Sequence, residues 1–278
     1  MKHLYKFIAL VFIFMIGIAF FSKSIPSISV STTTASSIQD STFPMVYLQV
    51  GESFINPLHG YSSELNSSTV RESITPLDTG KTFAVNIAEN DSKIKKLSYE
   101  LRDIANNKSI ETGDITAFDK NKKYKVATVH LKEAMDTSTE YGFCMTLITN
   151  YSKKIHFYTR IKYYDNDFFL SKKLDFVAKF HAATFDQGRS LDLSQYLESG
   201  TNDDSSYESV DIHSSRKLIT WGKLKPKRLT DVVPTVKELN IETAAISQTY
   251  FVSATTASGS ETYQVKEFYR VRYSGGRI

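Results

Sequence analysis

The sequence is short of the residues that stabilise small secreted domains and of those that break regular structure. Only one of its 278 residues is a cysteine, Cys144, so no disulfide can form within the chain. It has six prolines and 12 glycines, which excludes a collagen-like or low-complexity chain. Cys144 lies in the stretch EYGFCMTLITN, which alternates apolar with small or polar residues as a strand does. We therefore expect Cys144 to be a buried small apolar side chain rather than a reactive thiol.

A strong excess of charge of one sign is also missing. The chain has 34 Lys and Arg against 30 Asp and Glu, a net charge of +4, and the two signs are mixed along most of its length. Nucleic-acid-binding domains are usually strongly basic or carry a clustered basic patch. With 41% hydrophobic and 23% charged residues, the composition is that of a globular protein. We expect no nucleic acid among the partners.

Motifs of known chemistry are absent as well. The sequence has no H-E-x-x-H, G-x-S-x-G, S-x-x-K, P-loop or G-x-G-x-x-G pattern. The acidic loop NDDSSYE (202–208) lacks the ordered spacing of a calcium loop. His181 falls on a predicted helix with no partner at metal-ligand spacing, so we interpret it as a hydrogen-bonded histidine of the core or its boundary. The sequence therefore predicts no catalytic residue, no metal site and no cofactor, and a protein that is not an enzyme.

The first residues carry a membrane-insertion signal. Lys2, His3 and Lys6 precede an uncharged apolar run from Phe7 to Phe21. We predict a signal anchor over residues 1–22 that forms a transmembrane helix, with the N-terminus in the cytoplasm and the bulk of the chain extracytoplasmic. A cleaved signal peptide, which would make the protein secreted, is the alternative. Residues 23–43 are rich in Ser and Thr and predict a flexible stalk.

Closely spaced strand patterns follow, separated by turn-rich stretches such as IANNKS and FDKNKK. We predict strands near 44–50, 82–89, 93–103, 124–133, 140–149 and 154–164. This favours a β-sandwich over residues 44–167 that resembles immunoglobulin or fibronectin type III modules. There is no Cys…Trp…Cys pattern, so only the architecture is expected to be Ig-like. Tyr141, near the start of its strand, is predicted to be structural.

The pattern changes near residue 168, where we expect a second domain over residues 168–278. A helix with Ser171 as N-cap is predicted to turn Leu174, Val177, Ala178 and His181 to one side. A shorter helix or helical turn is expected within 190–200. Strands are expected near 209–222, 234–255 and 261–274, the second of them bent or broken near NIET. A helix followed by long antiparallel strands predicts an α+β domain of the cystatin-like or NTF2-like type.

One strand carries a candidate binding face. In KIHFYTRIKYY (154–164), alternate residues place basic and aromatic side chains together, and the last strand repeats this pattern. These side chains are the possible partner or ligand face: His156, Tyr158, Arg160, Lys162, Tyr164, Lys266, Arg270 and Arg272. The alternative is the polar side of an ordinary half-buried sheet, because such sheets alternate for structural reasons alone.

Four stretches carry a resemblance: YLQVGESFINPLHGY, KLDFVAKFHAATFD, ITWG and EFYRVRY. Together they resemble a group of uncharacterised, membrane-anchored extracytoplasmic proteins of Gram-positive bacteria, and the resemblance implies no activity. We expect a non-enzymatic accessory, scaffold or regulatory protein that acts through protein–protein contacts in the cell envelope. A module that binds a wall polymer or carbohydrate is the alternative. A hydrolase is the third possibility and would need a pocket with a histidine beside a carboxylate or serine.

Overall fold

The computed structural model describes residues 5–6, 15, 43–66, 69–121, 123–198, 206–256 and 259–278. Apart from Tyr5, Lys6, Met15 and Phe43, the predicted anchor and stalk lie outside these ranges. Across the described residues, no helix is long and apolar enough to cross a bilayer. Residues 39–278 group into one compact unit.

Ten strands form the first part of this unit, counted over the residues that the structure describes. They are, in chain order, β1 (Met45–Val50), β2 (Ser53–Leu58), β3 (Ile74–Leu77), β4 (Thr82–Ala88), β5 (Ile94–Asp103), β6 (Ser109–Ile115), β7 (Asp119–Lys120), β8 (Lys125–His130), β9 (Glu140–Thr149) and β10 (Lys154–Tyr163). The first sheet has the order β2-β1-β4-β8-β7, and the second has the order β3-β10-β9-β5-β6. Only the pair of β3 and β10 is parallel among these neighbours.

The two sheets pack face to face because their strands turn apolar side chains to one side. Leu97 and Leu101 of β5 are fully buried, as the alternation predicts. Between the sheets, the rings of Phe83 and Phe143 meet edge to face with centroids 5.2 Å apart. Cys144 is buried in β9, so its predicted place is confirmed. The protein is therefore mainly β, in agreement with a β-sandwich.

Two strands that the sequence did not predict each contain a proline. β2 includes Pro57 and β3 includes Pro76, and proline cannot donate a hydrogen bond to a sheet. Both strands lie at an edge of their sheet, which is where proline is tolerated. A proline within a short apolar run therefore marked an edge strand here rather than a loop.

Tyr141 is structural, as predicted. It stands at the start of β9 and is buried, and its hydroxyl accepts the backbone N–H of Asp136 at 2.8 Å. The bond ties the strand to the loop that leads into it, as the tyrosine corner of Ig-like and fibronectin modules does.

Helix α1 (Leu170–Phe185) opens the second part of the unit. The predicted N-cap at Ser171 is wrong, because the helix begins at Leu170. Phe169 takes the N-cap position in the left-handed conformation, with a φ of 49°. The side chain of Asp167 accepts the N–H of Phe169 at 2.7 Å, and this turn sets the start of the helix.

The inner side of α1 holds a charge that the pattern did not predict. Val177 and His181 are buried as expected, whereas Ala178 is exposed. Lys173 joins them and is fully buried. Its ammonium donates to three backbone oxygens, those of Phe168, Asn240 and Ile241, at 2.9, 2.7 and 2.8 Å. Burial lowers the pKa of Lys173 to about 8.

The third sheet has four strands: β11 (Lys227–Arg228), β12 (Thr235–Leu239), β13 (Thr243–Thr256) and β14 (Gly259–Arg272). β13 is central, with β14 along one side and β12 and β11 on the other. The turn at 240–242 confirms the predicted break near NIET. Helix α1 lies against this sheet, where the rings of His181 and Tyr250 meet with centroids 5.0 Å apart.

Between α1 and the third sheet, one expectation is confirmed and one is wrong. The helical turn predicted within 190–200 is a 3₁₀ helix, Leu193–Tyr196. The strand predicted over 209–222 is absent, and helix α2 (Arg216–Ile219) stands there instead. Ser215 caps α2 by accepting the N–H of Leu218 at 3.3 Å, so a serine that was taken as part of a strand starts a helix.

Candidate functional site

The face of β10 that the sequence offered as a binding surface is largely covered. Tyr158 and Tyr164 are only 3% and 7% exposed, so the prediction that they stand on an open face is wrong. His156, Arg160 and Lys162 are half-buried. A surface of this kind cannot present stacked aromatic rings to a sugar or a polymer.

The segment after β2 covers the first half of this face. Tyr61 pairs with His156 through two backbone hydrogen bonds of 2.8 Å. The hydroxyl of Tyr158 accepts the backbone N–H of Leu65 at 2.7 Å. Gly60 allows the close approach, because a Cβ there would lie 2.6 Å from the ring of Phe43.

The third sheet covers the second half of the face. Arg160 donates to the Glu140 carboxylate at 2.8 Å and to the Lys237 carbonyl oxygen of β12 at 3.0 Å. The hydroxyl of Tyr164 donates to the Leu239 carbonyl oxygen at 2.6 Å, and burial raises the pKa of Tyr164. We call this contact between β10 and β12 the joint.

Asn56 of β2 completes the joint from the first sheet. It is fully buried, its Oδ1 accepts the N–H of Val236 at 2.9 Å, and its backbone N–H donates to Pro234 O at 2.8 Å. Its Nδ2 donates to the Ile74 carbonyl oxygen at 2.8 Å. One side chain thus links both sheets of the sandwich to the third sheet.

The second group of predicted residues is exposed. β14 turns alternate side chains outward over its last half, and all of them are open to solvent: Gln264, Lys266, Phe268, Arg270 and Arg272. We call this set the β14 face. Phe268 is 63% exposed, and Arg272 pairs with Glu242 at 2.9 Å. Lys266 and Arg270 form no ion pair within the described parts of the chain.

The two predicted groups approach each other at Lys237. Burial lowers the pKa of the Lys237 ammonium, and the positive charges of Lys266 and Arg160 lower it further, against the opposing effect of Glu72. Lys237 donates to the Glu72 carbonyl oxygen at 2.6 Å. Both cations therefore act on the Lys237 ammonium, and of the two only Lys266 is exposed, whereas Arg160 is half-buried.

A third group, which the sequence did not predict, surrounds His181. Its Nδ1 lies 2.9 Å from Glu267 Oε2. The Glu267 carboxylate also accepts the hydroxyls of Tyr250 and Tyr269 at 2.7 and 2.8 Å. Burial and the adjacent carboxylate raise the pKa of both tyrosines. Arg228 Nη1 lies 3.3 Å from His181 Nε2, on the other side of the ring.

This cluster stands at the wall of a cleft of about 460 Å³ between the β1–β2 turn, α1 and the third sheet. Its lining includes His181, Arg228 and Gln248. His181 and Glu267 are 86 residues apart, so no local motif marks them. One signal was available, because the alternation of β14 places the charged Glu267 on the inward side and a buried carboxylate requires partners.

The tautomer of His181 determines what this cluster can do chemically. Because arginine can only donate, the Arg228 contact makes His181 Nε2 an acceptor, so Nδ1 carries the proton toward Glu267. In the described ranges no serine hydroxyl bonds to His181, so the pair lacks the nucleophile of a catalytic triad. Nor do three His, Cys, Asp or Glu side chains of those ranges form a possible metal site.

No family model matches the chain, and no curated protein matches it. The resemblance to extracytoplasmic proteins of Gram-positive bacteria therefore stays a prediction.

Proposed function

We propose that the protein is a non-enzymatic accessory protein of the cell envelope that binds an acidic segment of a partner protein on the β14 face. One observation carries this proposal. Phe268 is exposed between two cations, Lys266 and Arg270, that form no ion pair within the described residues. Aromatic and arginine side chains supply most of the anchoring energy of protein interfaces.

The position of β14 adds a second reason. It pairs with β13 on one side, and no strand of the described ranges pairs with its other side. The free backbone groups of an edge strand can accept one more strand from a partner. Lysine and arginine along such an edge discourage self-association and select an acidic partner.

For the architecture we propose an Ig-like sandwich followed by an α+β domain. The orders β2-β1-β4-β8-β7 and β3-β10-β9-β5-β6, with β3 parallel to β10, support the first, as does the bond of Tyr141 to the preceding loop. Helix α1 against an antiparallel sheet supports a cystatin-like or NTF2-like second part.

For the location we propose attachment to the cell membrane through residues 1–22. The basic start and the apolar run from Phe7 to Phe21 support an anchor with its N-terminus in the cytoplasm. The Ser/Thr-rich residues that follow would then hold the folded unit away from the membrane surface.

The two other function classes have less support. A polymer-binding module needs exposed, coplanar aromatic rings, whereas Tyr158 and Tyr164 are covered. A hydrolase needs a histidine beside a carboxylate, which His181 and Glu267 provide. In that pair, however, the free nitrogen of the histidine lies against the guanidinium of Arg228 rather than against a nucleophile.

Site-specific photo-crosslinking tests the proposal. We place p-benzoylphenylalanine at position 268 of the full chain in living cells and expect a covalent adduct with a discrete protein. Reversing Lys266 and Arg270 to Glu should reduce the adduct at least about tenfold, because like charges across an interface repel. Reversal of two exposed cations of the sandwich, Lys120 and Lys132, is the matched control and should leave the adduct unchanged. An adduct that both double variants retain equally would refute the proposal.

A further inference from the structure

The wall of the cleft beside His181 contains a buried polar side chain, Gln248, whose carbonyl oxygen lacks a hydrogen-bond donor in the described residues. Gln248 is 4% exposed and lies in the cleft wall, and its Oε1 has no hydrogen-bond partner among the residues that the structure describes. A buried carbonyl oxygen without a donor destabilises the fold, because it has lost its hydrogen bonds to water. Natural proteins keep such groups mainly where they have a use. Gln248 lines the cleft, so a turn of its side-chain amide would bring Oε1 to a ligand that supplies the donor.

The same cleft is lined by an exposed cation, Arg228. Arg228 uses one N–H of its guanidinium on His181 Nε2 and forms no ion pair within the described ranges. The bond from His181 Nδ1 to Glu267 fixes the ring, and the ring in turn orients the guanidinium. The remaining donors of Arg228 form a planar fork that matches a carboxylate.

Carboxylates stand at the rim of the cleft. Glu52, from the turn between β1 and β2, and Asp175, from α1, are both exposed and line it. Neither forms an ion pair within the described residues, Arg228 included. Charges of both signs thus face one space without neutralising each other, while Leu174, Val232 and Pro234 give the walls an apolar part.

We propose that this cleft binds a small zwitterion, a free amino acid or a dipeptide. The ligand carboxylate pairs with Arg228, its ammonium group lies toward Glu52 and Asp175, and an N–H of the ligand donates to Gln248 Oε1. The cleft volume of about 460 Å³ is within the range of small-ligand sites. In this arrangement His181 is a positioning residue that acts through Arg228.

Four probes test separately whether the site recognises the ammonium group and the carboxylate group of the ligand. The full chain in detergent micelles is titrated by calorimetry with L-alanine, L-alanyl-L-alanine, N-acetyl-L-alanyl-L-alanine and L-alanyl-L-alanine amide. At least one of the two zwitterions should bind. The acetylated dipeptide has lost the ammonium group and the amide has lost the carboxylate, so each should bind at least about tenfold more weakly than a zwitterion that binds. The relative affinity of the first two probes distinguishes a free amino acid from a dipeptide as the ligand.

Two variants and a control tie the binding to the cleft. Arg228→Gln and Gln248→Leu should each weaken the tighter zwitterion at least about tenfold. Lys227→Gln removes the neighbouring exposed cation of β11, which does not line the cleft, and should leave the affinity unchanged. Thermal unfolding of all three variants identifies a loss of fold. The proposal is overturned if neither zwitterion binds at millimolar concentration, or if folded Arg228→Gln binds as the parent chain does.

Discussion

Strands β10 and β14 have similar residue patterns in the sequence, but the basic side of β10 is covered in the fold and the basic side of β14 is exposed. Each alternates basic and aromatic side chains with apolar ones. On β10 the basic side lies in the joint, where Arg160 is 11% exposed and bonds to two partners. On β14 the basic side is open, and Arg270 has no ion pair in the described residues.

The difference shows what alternation can and cannot decide. A two-residue period tells which side chains share one side of a strand, because successive side chains point in opposite directions. It does not tell what covers that side. For β10 the cover comes from residues far away in sequence, such as Lys237, which is 77 positions from Arg160. Basic aromatic faces are therefore binding candidates only once their covering elements are known.

Replacing one arginine on each strand by methionine should give the largest difference in stability between the two faces. Arg160→Met leaves Glu140 and the Lys237 carbonyl oxygen without their donor in a mostly buried place, and we expect a loss of about 3 kcal/mol in the free energy of unfolding. Arg270→Met, the same change at an open position, should cost less than about 0.5 kcal/mol. Urea denaturation measures both. Equal losses would mean that Arg160 does not hold the joint.

The burial of Arg160 also explains why its substitution is a poor test of binding. A change such as Arg160→Glu would place two carboxylates together at the joint and weaken the fold itself. Any lost partner would then reflect lost structure. The β14 face avoids this problem, because its cations take no part in the packing between the sandwich and the third sheet.

The second comparison is between a buried and an exposed lysine, and it concerns how the stability of the fold depends on pH. The pKa of Lys173 is lowered by burial to about 8 from 10.5, so between these values the unfolded chain binds more protons than the folded chain. Stability therefore rises with pH in this window, by about 2 kcal/mol from pH 7 to pH 9.5. The lowered pKa of Lys237 acts in the same direction.

Above pH 10 the sign reverses. The raised pKa values of Tyr164, Tyr250 and Tyr269 mean that the unfolded tyrosines release protons first, so stability falls again. Denaturation midpoints at several pH values test the rise. Lys173→Met should remove most of it, whereas Lys120→Met, at an exposed position of the sandwich, should leave the pH profile unchanged. A profile that is flat in the parent chain would contradict the burial of a charged Lys173.

Much of the fold was predictable because local patterns determine it. The inward residues of β5, the structural bond of Tyr141 and the break between β12 and β13 all follow from alternation and turn residues. The edge strands β2 and β3 were missed because their prolines argue against a strand, and sheet position is not visible in sequence.

The candidate sites were harder to predict because they depend on distant residues. Lys173 has helical spacing with Val177 and His181, yet its burial depends on carbonyl groups almost seventy residues away. The pairing of His181 with Glu267 requires α1 and β14 to meet. Burial of a charge always requires partners, and in this chain the partners come from other elements.

The third comparison is between a buried and an exposed tyrosine hydroxyl, and its expected effect on stability is the smallest. Tyr164→Phe removes only the hydroxyl that donates to the Leu239 carbonyl oxygen, so the ring still fills its place against Phe168. We expect a loss of about 1.5 kcal/mol, since a buried acceptor loses its donor. Tyr263→Phe makes the same change on β14, where the hydroxyl bonds to Glu261 in the open and water can replace it. Its thermal midpoint should equal that of the parent chain. If the two variants unfold at the same temperature, the hydroxyl of Tyr164 does not help to close the joint.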